Sequence, residues 1–283
     1  MSKAMSTTEP TLLTLQEAAD AVGCHYQTLY KRVRSGELPA LVAGGSYRIS
    51  RADLDAWLHE RDAAKGAVPE RAERDWPRQI ETLLASLITG DARAARSQLD
   101  RLTAGGVGVD ELCDRLLAPT LARIGELWHN NDLSIADEHR ASRIVETLLD
   151  RATAARPKTG PRIGSAVVAT ALGDHHSIAA QMVAAGLQAE GFAVHYLGAN
   201  LPVEEIVNMA KREHADMVAL SCCVAERGGL SAAIDALNAA GFPVMVGGNG
   251  IGHDEALALG AARYGGSIAE AQRLARELVR TND

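Results

Sequence analysis

From residue 163 onward the sequence alternates between short apolar runs and helix-like runs, and this alternation limits the possible folds more than any other feature. Strand-like runs occur at residues 163–170, 193–197, 217–221 and 243–246, with helix-like runs at residues 177–190, 203–213 and 230–240. Strands that alternate with helices predict a doubly wound parallel sheet. Ligands of such sheets bind beyond the carboxyl ends of the strands. The loops that follow the strands are therefore where we expect a binding site.

Two linker-like stretches divide the chain into three parts. Residues 67–77 are charged and contain two prolines, and residues 156–162 (RPKTGPR) are rich in Pro and Gly. They predict a head of residues 1–66, a middle segment of residues 78–155 and an α/β domain of residues 163–283. A chain of 283 residues is long enough for two or three domains.

Composition excludes several classes of protein. The net charge is -7, so that any contact with nucleic acid must come from a local basic patch. The four cysteines have neither metal-type nor disulfide-type spacing. No apolar run reaches the ~20 residues that span a bilayer, and the first ten residues lack a hydrophobic leader. We expect a cytoplasmic protein with reduced thiols and no membrane partner.

The head has the order of a winged helix-turn-helix. Helices are predicted at residues 15–22 and 26–35, a hairpin at residues 39–50 around Gly44-Gly45, and a last helix at residues 51–64. In this arrangement the second helix fits a major groove and the hairpin reaches the adjacent backbone. Between residues 24 and 51 there are five basic residues and one acidic residue. The pattern predicts binding to double-stranded DNA.

The run LTLQEAADAVGCHYQTLYKRVRSGELPALVAGGSYRISRADLDAWL resembles the winged heads of the excisionase and MerR type. The resemblance implies which side chains face DNA. Just before and along the second helix these are His25, Tyr26, Gln27, Thr28, Lys31, Arg32 and Arg34, and on the wing they are Ser46, Tyr47 and Arg48.

The middle segment is helical throughout. Amphipathic runs at residues 78–89, 90–102, 109–128 and 134–155 are separated by short breaks, which predicts a compact four-helix bundle.

An Asp and a His lie together after the first strand of the α/β domain, in the run Gly173-Asp174-His175-His176-Ser177. An Asp two residues before a His can hydrogen-bond one ring nitrogen and orient the other toward a metal. One His does not make a zinc site, but it suits a metal that a macrocycle already holds and that needs an axial ligand.

These residues resemble the D-x-H-x-x-G signature of the Rossmann-like cobalamin-binding domain. The resemblance implies that His176 is the lower axial ligand to cobalt and that Asp174 is its partner. It also implies that Ser221, Gly247 and Gly248 lie beside the nucleotide tail. The Gly of the signature is Ala179 here, from which we expect a slightly tighter site.

In the bundle, nine residues separate Trp128 from Glu138, and His129 and His139 follow these two residues directly. This W-x9-E-H spacing resembles the adenosylcobalamin photoreceptors of the CarH and LitR type. The resemblance implies that Trp128 packs against the adenosyl group, that Glu138 hydrogen-bonds it, and that Ile135 and His139 belong to the same pocket. His129 would become the upper ligand of cobalt after light removes the adenosyl group.

Together these features predict a light-dependent regulator, most readily a repressor, that binds adenosylcobalamin and releases DNA in light. The resemblance implies a homotetramer in the dark, and no catalytic residues are expected. Two alternatives stay open, namely a cobalamin-responsive regulator indifferent to light and the corrinoid carrier protein of a methyltransferase.

Overall fold

The computed structural model describes residues 12–22, 26–34, 37–43, 46–66, 74–154 and 162–280. The chain forms two compact units, Met1–Arg74 and Asp75–Asp283. In the part of the chain so described, no helix is both long and apolar enough to cross a membrane.

The first unit is a small head with the elements β1 (Leu12–Thr14), α1 (Leu15–Ala21), α2 (Tyr26–Arg34), β2 (Leu41–Ala43), β3 (Ser46–Ser50) and α3 (Arg51–Gly66). Its strands are antiparallel, in the order β1-β3-β2. The core includes the buried side chains of Leu29, Ile49 and Leu54. The predicted winged helix-turn-helix is confirmed, with β1 as an addition. The predicted turn at residues 44 and 45 lies outside the described residues.

The second unit begins with four helical segments. They are α4 (Trp76–Thr89), α5 (Ala92–Ala104), a third segment in which a π-helical turn (Cys113–Leu117) joins α6 (Val109–Leu112) to α7 (Ala118–His129), and α8 (Ile135–Ala154). Helix α4 begins at Trp76 rather than at residue 78, so the predicted linker of residues 67–77 extends too far. The reason is that the Asp75 carboxylate accepts the Arg78 N–H at 3.0 Å, and Pro77 is tolerated in a first turn.

The rest of the second unit alternates strands and helices. The elements are β4 (Ser165–Ala171), α9 (Ser177–Glu190), β5 (Ala193–Leu201), α10 (Val203–Arg212), β6 (Met217–Ser221), α11 (Gly228–Ala239), β7 (Val244–Gly247), α12 (His253–Ala258), β8 (Arg263–Gly265) and α13 (Ile268–Arg280). The strands are parallel, in the order β5-β4-β6-β7-β8. The predicted doubly wound sheet is confirmed. Strand β8 was not predicted, because its sequence, RYG, has no apolar run.

The helical bundle and the α/β part share one hydrophobic core. Met182 and Ala185 of α9 and Ile268 of α13 are buried together with the apolar side chains of the bundle. In addition, the Asp114 carboxylate accepts the N–H groups of Ile268 and Ala269 at 2.7 and 3.0 Å. These contacts satisfy the first N–H groups of α13 from the bundle side, so that the second unit packs as one body.

Candidate functional site

The candidate site lies where the order of the strands reverses. Strand β4 lies between β5 and β6, so that the chain moves from β4 first to one side of the sheet and later to the other. At such a switch point the loops after the two neighbouring strands diverge and leave a crevice. Asp174 follows β4 and Cys223 follows β6, which places both residues at the carboxyl edge of the sheet.

Asp174 is 3% exposed, and its carboxylate contacts three N–H groups. Its Oδ1 accepts the backbone N–H of His176 at 2.9 Å and lies 2.8 Å from Nδ1 of the His176 ring. Its Oδ2 accepts the backbone N–H of Cys223 at 2.6 Å. The carboxylate therefore joins the loops that follow β4 and β6 and orients the His176 ring. We call Asp174, His176 and Cys223 the Asp174 group.

His176 is oriented as an axial metal ligand should be. A carboxylate only accepts hydrogen bonds, so Nδ1 carries the proton and Nε2 keeps its lone pair for a metal. The His176 side chain is 62% exposed, which leaves Nε2 accessible. Among the residues described, no three His, Cys, Asp or Glu side chains form a metal cluster of their own. One oriented imidazole fits a metal that a macrocycle already holds, such as the cobalt of a corrinoid.

Two side chains that were not predicted hold the backbone of this loop. The hydroxyl of Thr170, fully buried at the end of β4, donates to the carbonyl oxygen of Asp174 at 2.6 Å. It also accepts the N–H of Asn200 at 2.9 Å, and Asn200 Oδ1 accepts the N–H of Gly173 at 2.8 Å. A hydroxyl at the end of an otherwise apolar strand was the only sequence signal for Thr170.

Ser221, Gly247 and Gly248 lie at the neighbouring strand ends. Ser221 and Gly247 are opposite each other in the register of β6 and β7. A Cβ on Gly247 would lie 2.4 Å from the carbonyl oxygen of Gly265, and one on Gly248 would lie 2.3 Å from that of Cys222. These glycines thus allow the strand ends to approach each other. Their contact with a nucleotide tail stays a prediction.

The predicted upper pocket lies at the turn between α7 and α8. Trp128 and His129 end α7, and Ile135 begins α8. Trp128 is 47% exposed and Ile135 is 62% exposed, and His129 is exposed as well. The α7–α8 turn thus carries two large apolar side chains that the described part of the chain leaves exposed.

Glu138 and His139 form a local pair. Glu138 Oε2 lies 2.7 Å from Nδ1 of His139, and Oε1 accepts the hydroxyl of Ser142 at 2.7 Å. Within residues 74–154 and 162–280, no hydrogen bond or ion pair joins Glu138 or the α7–α8 turn to the Asp174 group. Of the predicted lower residues, the structure therefore joins Asp174 to His176, and of the predicted upper residues it joins Glu138 to His139.

Helix α8 contacts the loop of His176 through Ser177. The Ser177 hydroxyl donates to the Glu146 carboxylate at 3.0 Å, and Gln181 Nε2 donates to Asp150 at 2.7 Å. The hydroxyl of Tyr196 donates to the carbonyl oxygen of Ser177 at 2.9 Å, and burial raises the pKa of Tyr196 to about 12, which keeps it a neutral donor. The residue that follows His176 is therefore attached to the helix that carries Glu138.

The thiols near the site are expected to be unreactive. Burial raises the pKa of Cys222, of Cys223 and of Cys113 in the bundle, so that little thiolate forms at neutral pH. We expect iodoacetamide to alkylate these three thiols at least about tenfold more slowly in the native protein than in urea. Mass spectrometry of the peptides measures each rate, and equal rates in the two conditions would show that the thiols are accessible and ionised.

In the head, aromatic contacts join α2 to the wing. Tyr26 stacks on Tyr30 with ring centroids 6.2 Å apart, and Tyr30 meets Tyr47 of β3 edge-on, also at 6.2 Å. Tyr26 is 37% exposed. These contacts fix the orientation of α2 relative to the strand that carries Tyr47 and Arg48.

The basic residues predicted to contact DNA are partly accessible. Arg32 forms an ion pair with Glu37 at 2.6 Å, and both side chains are about half exposed. Arg34 is exposed and Arg48 is half-buried. His25 lies outside the described residues, as do the side chains of Gln27, Thr28 and Lys31.

Three segments of the chain match known families. Residues 12–62 match a helix-turn-helix domain, residues 79–153 match a B12 binding domain, and residues 164–278 match a second family that is also described as a B12 binding domain. These matches cover the head, the helical bundle and the α/β part.

Individual relatives fall into two kinds. Dimethylamine corrinoid protein 2 of Methanosarcina acetivorans is 30% identical over 181 residues, which are 60% of this chain and 82% of the relative. The HTH-type transcriptional repressor CarA of Myxococcus xanthus is 34% identical over 147 residues, which are 50% of this chain and 48% of the repressor. Among solved structures, the monomethylamine corrinoid protein of Methanosarcina barkeri has a TM-score of 0.59 at 20% identity, covering 69% of this chain and 96% of that chain, and it shows the shared fold.

Proposed function

We propose that this chain, which belongs to the family of B12-binding proteins that includes the corrinoid proteins, is a light-dependent transcriptional repressor that uses adenosylcobalamin. The chain also carries a helix-turn-helix domain. That it is a DNA-binding, B12-binding protein rests on the matched families and on the CarA relative. The proposal adds the adenosyl form of the cofactor, the response to light and the sign of regulation. In it the chain acts as a regulator and not as an enzyme.

On the lower face, Asp174 and His176 hold the corrinoid. The buried carboxylate keeps the His176 ring oriented with Nε2 free, at a strand end where ligands of such sheets bind. Ser221, Gly247 and Gly248 form the neighbouring strand ends that face the nucleotide tail in this proposal.

On the upper face, the residues of the α7–α8 turn hold the adenosyl group. The observation that carries the light-dependent form is the exposure of two large apolar side chains at the α7–α8 turn, Trp128 and Ile135, with Glu138 one helical turn further along α8. Trp128 would pack against the adenosyl group, and a Glu138 oxygen would accept a hydrogen bond from it. When bound, adenosylcobalamin supplies a cobalt–carbon bond that light breaks. His129, at the end of α7, would supply an imidazole ligand to the cobalt once the adenosyl group has left, and the end of α7 would move with it.

In the dark, the head binds DNA. A single head contacts few bases, so several heads held by one assembly raise affinity through their effective concentration. We therefore propose that the chain forms a homotetramer in the dark and that the tetramer dissociates when α7 shifts in light. The described side chains that reach DNA in this proposal are Tyr26, Arg32, Arg34, Tyr47 and Arg48.

His129→Ala separates the light response from cofactor binding. We expect the variant to bind adenosylcobalamin in the dark as the natural protein does, because His129 is exposed at the end of α7 and is not needed until the adenosyl group leaves. After illumination the variant should lose the cofactor at least about tenfold faster, since one of the two axial imidazoles is missing. Absorbance after gel filtration measures the retained corrinoid.

The control for this prediction is His253→Ala. His253 is exposed and pairs with Asp254 at the start of α12, so the change removes an equally exposed imidazole without touching α7. Identical retention by His129→Ala and by the natural protein after illumination would withdraw the role given to His129.

A second candidate function is that of a corrinoid carrier protein. It is favoured by the match to dimethylamine corrinoid protein 2, which extends over most of that relative. The head discriminates the two functions, because a carrier has no need for a helix-turn-helix domain. Binding of cobalamin without any specific DNA binding would favour the carrier.

A further inference from the structure

Arg227 holds together three segments at the carboxyl edge of the sheet. Its guanidinium donates to the carbonyl oxygens of Val224, in the loop after β6, and of Gly250, in the loop after β7. It also forms a two-point contact with Glu255 of α12, with Nε to Oε1 at 2.7 Å and Nη2 to Oε2 at 3.2 Å. No part of the site described above uses this residue.

The Arg227 guanidinium is held in place by its contacts with Val224, Gly250 and Glu255. Its side chain is 22% exposed, and Glu255 balances its charge. An arginine has five N–H donors in a fixed planar fork, so one side chain can serve two carbonyls and a carboxylate at once. A lysine keeps the charge but not the fork, and a glutamine keeps neither.

The loop that Arg227 holds is the one that reaches Asp174. Val224 follows Cys223, whose N–H donates to Asp174 Oδ2 at 2.6 Å. The same loop is bonded to the β7 side, since the N–H of Gly250 donates to the carbonyl of Cys222 at 2.9 Å. A displacement of Val224 therefore moves the Cys223 N–H away from the carboxylate that orients His176.

We propose that Arg227 is a positioning residue for the axial ligand His176: by fixing the loop after β6 it keeps the Cys223 N–H on Asp174, and Asp174 on the His176 ring. The inference rests on the proposed binding of cobalamin at His176. The site then includes Arg227, which binds the loops after β6 and β7 and does not contact the His176 imidazole.

The first part of the test uses the protein without cofactor. Hydrogen exchange is compared between the natural protein, Arg227→Lys and Arg227→Gln. Arg273→Gln is the control, because Arg273 also forms an ion pair with a glutamate, Glu277, but lies exposed on α13. Exchange at the amides of Cys223 and Gly250 should rise at least about tenfold in both Arg227 variants, while the control stays unchanged. Unchanged exchange at Cys223 in both Arg227 variants would overturn the proposal.

The second part measures ligation by His176. The proteins are produced with isotopically labelled histidine nitrogen, loaded with cob(II)alamin, and examined by electron paramagnetic resonance, in which a histidine ligand is distinguished from the cofactor's own base by its splitting. The histidine-ligated fraction should fall in Arg227→Gln, and the dissociation constant for hydroxocobalamin should rise about tenfold. Full ligation and unchanged affinity in both Arg227 variants would overturn the role toward His176.

The two parts separate the possible failures. If the natural protein binds no cobalamin, the proposed function fails, whereas the exchange data still decide whether Arg227 holds the loop. Thermal unfolding shows whether Arg227→Gln is folded, and Arg227→Lys, which keeps the charge, remains as the second variant.

Discussion

Asp174→Asn is expected to lower the affinity for cobalamin about 10- to 100-fold, although the side chain never contacts cobalt. The carboxylate serves three N–H groups, two from His176 and one from Cys223. An amide has one oxygen, and its NH2 group meets at least one of these donors, whichever way it is turned. The variant therefore loses the fixed orientation of the His176 ring, and the free energy of unfolding should fall by about 1–3 kcal/mol for the unsatisfied buried groups.

The matched control is Asp254→Asn. Asp254 Oδ1 lies 2.9 Å from Nδ1 of His253, in an Asp–His pair that is exposed on α12. Equilibrium dialysis with hydroxocobalamin measures both variants, and the control should bind as the natural protein does. Equal binding by Asp174→Asn and Asp254→Asn would mean that Asp174 does not support an axial ligand.

Gly248→Ala is expected to lower the free energy of unfolding of the second unit by about 2–4 kcal/mol. Gly248 has a φ of 110°, a conformation that side chains rarely adopt, and an added Cβ would lie 2.3 Å from the backbone oxygen of Cys222. Because backbone cannot move aside cheaply, the loop that carries Cys223 must shift. Cobalamin affinity should therefore fall together with stability.

Gly252→Ala serves as the control for this prediction. A Cβ on Gly252 meets nothing within 4 Å, and its φ of -96° suits any residue. Because Gly252 is the N-cap of α12, urea unfolding followed by circular dichroism should give a loss of at most about 1 kcal/mol for this variant. A loss of stability in Gly248→Ala no larger than that of Gly252→Ala would mean that the close approach of the two strand ends does not constrain the fold.

The layered organisation could be predicted because it depends on local periodicity. The alternation of strands and helices after residue 163 and the amphipathic runs in the middle segment are properties of neighbouring residues. They place Asp174 and His176 in a loop at the carboxyl edge of the sheet. Residues two apart can be paired from the sequence alone. The Asp174–His176 contact is therefore the part of the site that a reader of the sequence can find.

The rest of the lower site depends on contacts between distant parts of the chain. Thr170 and Asn200 are thirty residues apart in the sequence, and Cys223 is 49 residues from Asp174. No sequence motif pairs Thr170 with Asn200 or Asp174 with Cys223, and the Cys223 contact uses the backbone N–H, which every residue except proline has. Such contacts follow only from the register of the strands.

The helical bundle, too, could be predicted from the sequence only in part. Its four segments follow from amphipathic spacing, but the π-helical turn at Cys113–Leu117 has no sequence signal, since it depends on how the third segment fits its neighbours. The spacing of Trp128 and Glu138 places both near the α7–α8 turn. It does not give the contact between Ser177 and Glu146, by which α8 reaches the loop of His176.

The measurement that tests the central claim most directly is a gel shift of the adenosylcobalamin-loaded protein on its own promoter DNA, first in the dark and then after illumination. We predict a complex that forms in the dark only with the cofactor and that dissolves in light. Binding that requires adenosylcobalamin but is unchanged by light would contradict the light-dependent proposal and leave a sensor of cobalamin.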